Sequence, residues 1–221
     1  MASAPALDPP PAQALVPPRR RGRPPKCAAG ESQTREALLR AGVVALSERG
    51  FSATGLDAIL RAVGVPKGSF YHYFPSKDAF GAALIGRYAA AFAARLDRRL
   101  LDESRPPLER LRAFADDARA SMARHDFRRG CLVGNLGQET GVLPEPFRDA
   151  LHNALLDWQA RTARCLEAAR AAGEIAPEAD CAALAAYFWI GWEGAVLRAK
   201  LERSPAPLDL FADTFLAGLR R

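Results

Sequence analysis

Apolar residues along most of this chain return at intervals of three and four, the repeat of an amphipathic helix. Strand signals are missing, with no alternating Val, Ile and Thr run bounded by hairpin dipeptides. The first expected helix carries Leu39, Val43 and Leu46 on one face and stops at Gly50, which tolerates a left-handed C′ position. Thr54 reads as the N-cap of a second helix, with Asp57 in its first turn and Leu56, Ile59, Leu60 and Val63 on its apolar side. Gly64 ends that helix and Pro66, with φ already set, restarts a short one over 66–73, because Pro75 disfavours helix at Phe74. Ser76 caps the next helix, where Phe80, Leu84, Tyr88, Phe92, Leu96 and Leu100 form a ladder every fourth residue. Three helices joined by such tight turns have the proportions of a helix-turn-helix unit.

Further along, Pro106-Pro107 opens a helix holding Leu108, Leu111, Phe114 and Ala118, and residues 128–140 read as a short amphipathic piece. From Pro146 a seam of Leu151, Leu155, Trp158, Thr162, Cys165 and Ala169 runs to Gly173. Asp180 caps a helix that is apolar nearly all round, which suits a buried position or a face against another subunit. Leu208, Phe211, Phe215 and Leu219 mark a last amphipathic helix. The fold class is therefore all-α, and no repeat of constant period runs through it.

Charge changes the picture at one end only. Of the net +6 on 221 residues, +4 falls within residues 1–30, where Arg19, Arg20, Arg21, Arg23 and Lys26 face one acid, Asp8. Eight of the 17 prolines also lie there, so residues 1–30 are expected to be a disordered arm. Two further segments follow, residues 31–78 as the helix-turn-helix domain and 79–221 as a second helical domain. The longest apolar run, Ala182 to Trp192, is about half the ~20 residues of a membrane span, and the N-terminus has no secretory pattern. Cys27, Cys131, Cys165 and Cys181 are too widely spaced for a zinc site or a disulfide framework. These features point to a reduced, cytoplasmic protein without metal or cofactor.

Residues 54–77, Thr-Gly-Leu-Asp-Ala-Ile-Leu-Arg-Ala-Val-Gly-Val-Pro-Lys-Gly-Ser-Phe-Tyr-His-Tyr-Phe-Pro-Ser-Lys, carry the most information. On the short helix Phe70 and Phe74 point inward at i, i+4. Lys67, Ser69, Tyr71 and His72 are left outside, a set suited to phosphate oxygens and base edges. Lys77 begins the following helix, where an ammonium and backbone N–H groups can share a phosphate. The segment resembles the DNA-binding signature of the TetR family of bacterial transcription regulators, over roughly residues 34–80. The resemblance assigns DNA contacts to Thr54, Lys67, Ser69, Tyr71, His72 and Lys77, and Pro66 departs from the polar cap usual in the family. Within the arm, Arg21-Gly22-Arg23-Pro24 looks like an AT-hook core, in which Arg21 and Arg23 lie in a narrow minor groove. A solvated basic tail explains the same residues equally well.

The family resemblance makes residues 79–221 a ligand-binding and dimerisation domain, with the last two helices forming the interface of a homodimer. Residues 129–139, Arg-Gly-Cys-Leu-Val-Gly-Asn-Leu-Gly-Gln-Glu, further resemble the NemR/AcuR-like subgroup, whose members answer to reactive or unsaturated small molecules. That subgroup makes Cys131 a sensing thiol. Its place near a helix start after Arg128 and Arg129 would stabilise a thiolate, whereas a buried inert cysteine fits the pattern as well. Asn135, Gln138 and Glu139 face either a pocket or solvent, and Trp158, Trp189 and Trp192 line a cavity or fill a core. His125 and His152 have no partner at metal-ligand spacing, and no nucleophile elbow or phosphate loop exists, so an enzyme is not expected. The functional expectation is a repressor that binds a palindromic operator in double-stranded DNA and is released by a small-molecule effector. An architectural DNA-binding protein without effector is the alternative, and a ligand cavity separates the two.

Overall fold

The computed structural model describes residues 28–219, with side chains from residue 33. Arg21, Arg23 and the rest of the AT-hook segment lie outside the described residues. Nine helices and no strand occur among the described residues. They are α1 (Ala28–Arg49), α2 (Leu56–Val63), α3 (Lys67–Phe70), α4 (Lys77–Leu100), α5 (Pro107–Ala123), α6 (Leu132–Gly137), α7 (Glu145–Ala171), α8 (Cys181–Glu202) and α9 (Ala206–Leu219). The start of α1 at Ala28 makes residues 28–30 helical rather than part of an arm.

Local signals account for most of the boundaries. Gly50 and Gly64 adopt φ of 81° and 69°, the left-handed region where a Cβ is penalised, and so end α1 and α2. The Ser76 hydroxyl accepts a hydrogen bond from the Ala79 N–H at 3.0 Å, and Asp180 accepts one from Ala183 at 3.0 Å. Two expectations require correction. Thr54 does not cap α2, because its hydroxyl donates backward to the Gly50 carbonyl at 2.6 Å and the cap position falls to Gly55. Pro66 is not the first helical residue of α3 but its N-cap, in extended conformation at φ −62°, ψ 144°.

Helix α4 runs unbroken from the helix-turn-helix into the second domain, so the expected boundary at 78/79 falls inside its first turn. Its first turns carry buried Phe80, Leu84 and Ile85, which close the small domain with Leu38 and Leu46 of α1. Further along, Phe92 leans on Trp158 of α7 at 4.3 Å between ring centroids. Trp158 in turn meets Trp189 of α8 at 5.1 Å, and Phe114 of α5 meets Trp192 at 5.6 Å. Thr162, fully buried, donates to the Trp158 carbonyl and accepts from the Trp189 indole N–H, both at 3.0 Å, so its hydroxyl is satisfied inside the core. Gly191 packs flat against Phe211, where a side chain would collide, and this contact lies within the chain, between α8 and α9.

Candidate functional site

The small domain presents a polar outer surface on an aromatic base. Phe70 and Phe74 are buried as the i, i+4 spacing requires, and Phe70 meets Phe80 edge to face at 5.5 Å. This stacking holds a helix of four residues that could not persist alone. Tyr71 stands 56 % exposed, His72 and Lys67 are exposed, and Ser69 is half-buried. Lys67 is paired to Asp57 of α2 at 3.2 Å in an exposed setting, a contact that an approaching phosphate can readily exchange. Lys77 places its ammonium over the Phe51 ring at 4.3 Å. Thr54 does not join this surface, since it is 2 % exposed and its hydroxyl is taken. Arg35, absent from the expected set, lies over Phe74 at 5.0 Å and adds a cation beside it. Only the fold brings the start of α1 to that ring.

A cavity of about 300 Å³ opens between α4, α5, α8, the segment leading into α6 and the C-terminal half of α1, which contributes Val43, Val44 and Ser47. Tyr88, Phe92, Arg95, Cys131, Trp192 and Glu193 are among its walls. Cys131 and Glu193 also border a neighbouring cavity of about 290 Å³, which Asn135, Gln138 and Lys200 help to line. Trp192 is thus at once core and cavity wall. Trp158 and Trp189 line neither cavity and serve the core, which corrects the expectation for those two.

Cys131 is the N-cap of α6, 8 % exposed, and its sulfur accepts the Gly134 N–H at 3.4 Å. Of the two readings of this cysteine, its burial agrees with the second, although the Gly134 N–H at the start of α6 does reach the sulfur. Arg129 is engaged with Glu48 at 2.9 Å, Arg128 is exposed, and burial followed by the nearby Glu193 charge pushes the thiol well above its ordinary pKa. Burial raises the Glu193 carboxyl to about 7, against the opposing hydrogen bond from Cys131. Tyr88 is likewise raised by burial, and Arg95 is lowered by it. Glu193, Tyr88 and Arg95 escaped the sequence reading. Glu193 left one sign, as the sole charged residue between Cys181 and Leu197.

Of the polar residues after Cys131, Asn135 and Glu139 also reach the helix-turn-helix domain. Asn135 donates to the Ser47 carbonyl at 2.7 Å and to Leu46 at 3.3 Å, at the end of α1. The Gly130 N–H also reaches Ser47, at 3.2 Å, and the Lys200 ammonium donates to the Glu48 carbonyl at 3.1 Å. The Glu139 carboxylate accepts the N–H groups of Phe51 and Ser52 at 2.9 and 2.8 Å. Segment 129–139 therefore walls the cavity on one side and is bolted to the end of α1 and the loop before α2 on the other. Glu139 lines neither cavity, which corrects its expected place.

Among the described residues no group of three or more His, Cys, Asp or Glu is placed to hold a metal, and no helix is long and apolar enough to cross a membrane. The description "Bacterial regulatory proteins, tetR family" matches residues 38–84, and "Tetracyclin repressor-like, C-terminal domain" matches residues 107–215. The chain is 54 % identical over 211 residues to the transcriptional regulator AcuR of Cereibacter sphaeroides, covering 96 % of this chain and 95 % of that one. It is 35 % identical over 179 residues to the HTH-type transcriptional repressor NemR of Escherichia coli K12, covering 81 % and 90 %. A crystal structure of a regulatory protein TetR from Rhodobacter sphaeroides superposes with a TM-score of 0.82 at 55 % identity, over 84 % of this chain and 98 % of that one. The reduced form of E. coli NemR superposes with a TM-score of 0.78 at 32 % identity, over 86 % and 97 %. These relatives are named as regulators and repressors of transcription, not as enzymes, and the aromatic-based helix-turn-helix agrees with them: the chain belongs to the TetR family of DNA-binding transcription regulators.

Proposed function

We propose that this protein is a repressor that binds a palindromic operator as a homodimer and is released when a small reactive or unsaturated molecule enters the cavity beside Cys131. The observation that carries the reading is segment 129–139, one stretch of chain that touches both the cavity and the helix-turn-helix. A molecule that displaces Cys131 or Glu193 moves α6, and with it the anchors on Ser47, Phe51 and Ser52. Such a ligand shifts the equilibrium only by its preference for the conformation whose reading helices are wrongly spaced, the competent spacing being ~34–36 Å. The cavity is also the feature that a purely architectural DNA-binding protein would lack.

Lys67, Tyr71, His72, Ser69 and Lys77 contact DNA in this reading, and Arg21 and Arg23 add minor-groove contacts. A homodimer is supported by the exposed apolar row of Tyr187, Ile190, Leu197 and Leu201 on α8 with Leu210 on α9, too large a patch to leave in water. The protein would then act in the cytoplasm, on the nucleoid. The deciding experiment selects DNA fragments on the purified protein and titrates them with small electrophiles while following anisotropy. Enrichment of a palindrome, and its release by a ligand, are the expected results. Failure to retain any sequence above background, or retention that no ligand relieves, overturns the reading.

A further inference from the structure

Cys131 sits between two kinds of partner with opposite effects. Its sulfur accepts a hydrogen bond from the Gly134 N–H at 3.4 Å, which stabilises negative charge on sulfur. The Tyr88 phenol and the Glu193 carboxylate share the same cavity wall with it. All of this lies at the wall that separates the two cavities, so a molecule in the larger one meets sulfur and carboxylate together. Gly134 makes the approach possible, since a Cβ there would collide with the Glu193 carboxylate and would lie 3.6 Å from the Cys131 Cβ. The site thus holds a nucleophile, a backbone donor for its developing charge and a carboxylate that can take its proton.

We propose that Glu193 is the proton acceptor that turns the buried Cys131 thiol into a nucleophile toward an α,β-unsaturated carbonyl compound held in the cavity. The inference rests on the effector reading above and adds the chemistry of capture. The Cys131 sulfur bonds to the β-carbon of the ligand while the C=C π pair moves into the enolate. The thiol proton passes to Glu193 and from there to the α-carbon, which regenerates the carboxylate. The sum is addition of S–H across a double bond, and nothing is oxidised or reduced. At rest, burial keeps the thiol protonated and inert to bulk reagents. Selectivity then comes from the cavity, because only a molecule that fits it sees sulfur and base together.

The charged and titratable groups around Glu193 are Tyr88 and Arg95 on α4, His125 after α5, Arg129 and Cys131 before α6, and Lys200 on α8. Most carry their own partners: Arg129 has Glu48 and His125, and Lys200 has the Ser47 and Glu48 carbonyls. Glu193 is the one carboxylate among the residues that line the two cavities.

The test measures alkylation of Cys131 by methyl vinyl ketone in the full-length protein, by peptide mass spectrometry from about pH 5.5 to 9, with Cys165 as internal control. The wild-type rate is expected to rise through about pH 7 and then level, following the carboxyl. Glu193→Gln should slow it about tenfold or more and abolish the inflection. Gly134→Ala keeps the carboxyl but displaces it, and should also slow the reaction while the thermal melt stays cooperative. Equal rates in wild type and Glu193→Gln, a single shared pH profile, or no adduct on Cys131 overturn the inference. Glu193-dependent alkylation that leaves the operator bound overturns the effector reading and spares this one. Release of operator by methyl vinyl ketone without alkylation of Cys131 does the reverse.

Discussion

Removing the Glu139 carboxylate takes away two hydrogen bonds that tie the ligand domain to the loop entering α2. Hydrogen bonds to charged groups are worth about 1.5–3 kcal/mol when sheltered. Here Glu139 is half-buried and Ser52 is exposed, so water replaces much of the loss, and Glu139→Ala should cost about 1–2 kcal/mol in urea unfolding. In the proposed release mechanism the same bolt transmits α6 movement, so the ratio of operator affinities without and with effector should shrink by about 5- to 30-fold, the factor corresponding to that energy. Glu139→Gln, which keeps one carbonyl oxygen, should fall between. Gly50 offers a cycle, because a Cβ there would strike the Glu139 carboxylate and its φ of 81° penalises any side chain. Gly50→Ala should therefore cost more in the wild type than in the Glu139→Ala background, where only about 1 kcal/mol of backbone strain remains. Additive costs in that cycle, or an unchanged affinity ratio in Glu139→Ala, would refute the reasoning.

Lys77→Ala should weaken binding to all DNA sequences and reduce the salt slope by about one contact, whereas Lys67→Ala should alter preference at a few base pairs, both read by anisotropy across salt concentrations. Ile190→Glu, at a position 73 % exposed on α8, should shift sedimentation from dimer to monomer and lower operator affinity with it. Trp189→Phe breaks a buried hydrogen bond to Thr162, while Trp158→Phe deletes an indole N–H that has no partner among the described residues, so the second should cost less in thermal unfolding. Between about pH 4.5 and 7 the unfolded chain has released the Glu193 proton that the native state still holds. Stability should therefore fall as pH rises through that window, by up to about 3 kcal/mol, and Glu193→Gln should remove this part of the dependence.

What the chain determines locally could be read without a structure. The turns at Gly50 and Gly64, the caps at Ser76 and Asp180 and the inward Phe70 and Phe74 depend on neighbours within a few residues. For them, steric and hydrogen-bond rules act on sequence directly. Thr54 shows the limit even there, because a threonine before a helix can cap forward or bond backward, and burial beneath Gly50 chose the second. Roles that depend on distant partners were decided by tertiary structure alone. Glu139 meets a loop 87 and 88 residues away, and Lys200 meets carbonyls 152 and 153 residues away. From sequence Cys131 reads as either an activated thiolate or a buried cysteine, and its raised pKa follows only from the folding that buries the sulfur beside Glu193. The physical reason is common to all three. Periodicity fixes which face of a helix turns inward, but the charge and hydrogen-bonding state of a polar side chain follow from the groups that packing brings against it.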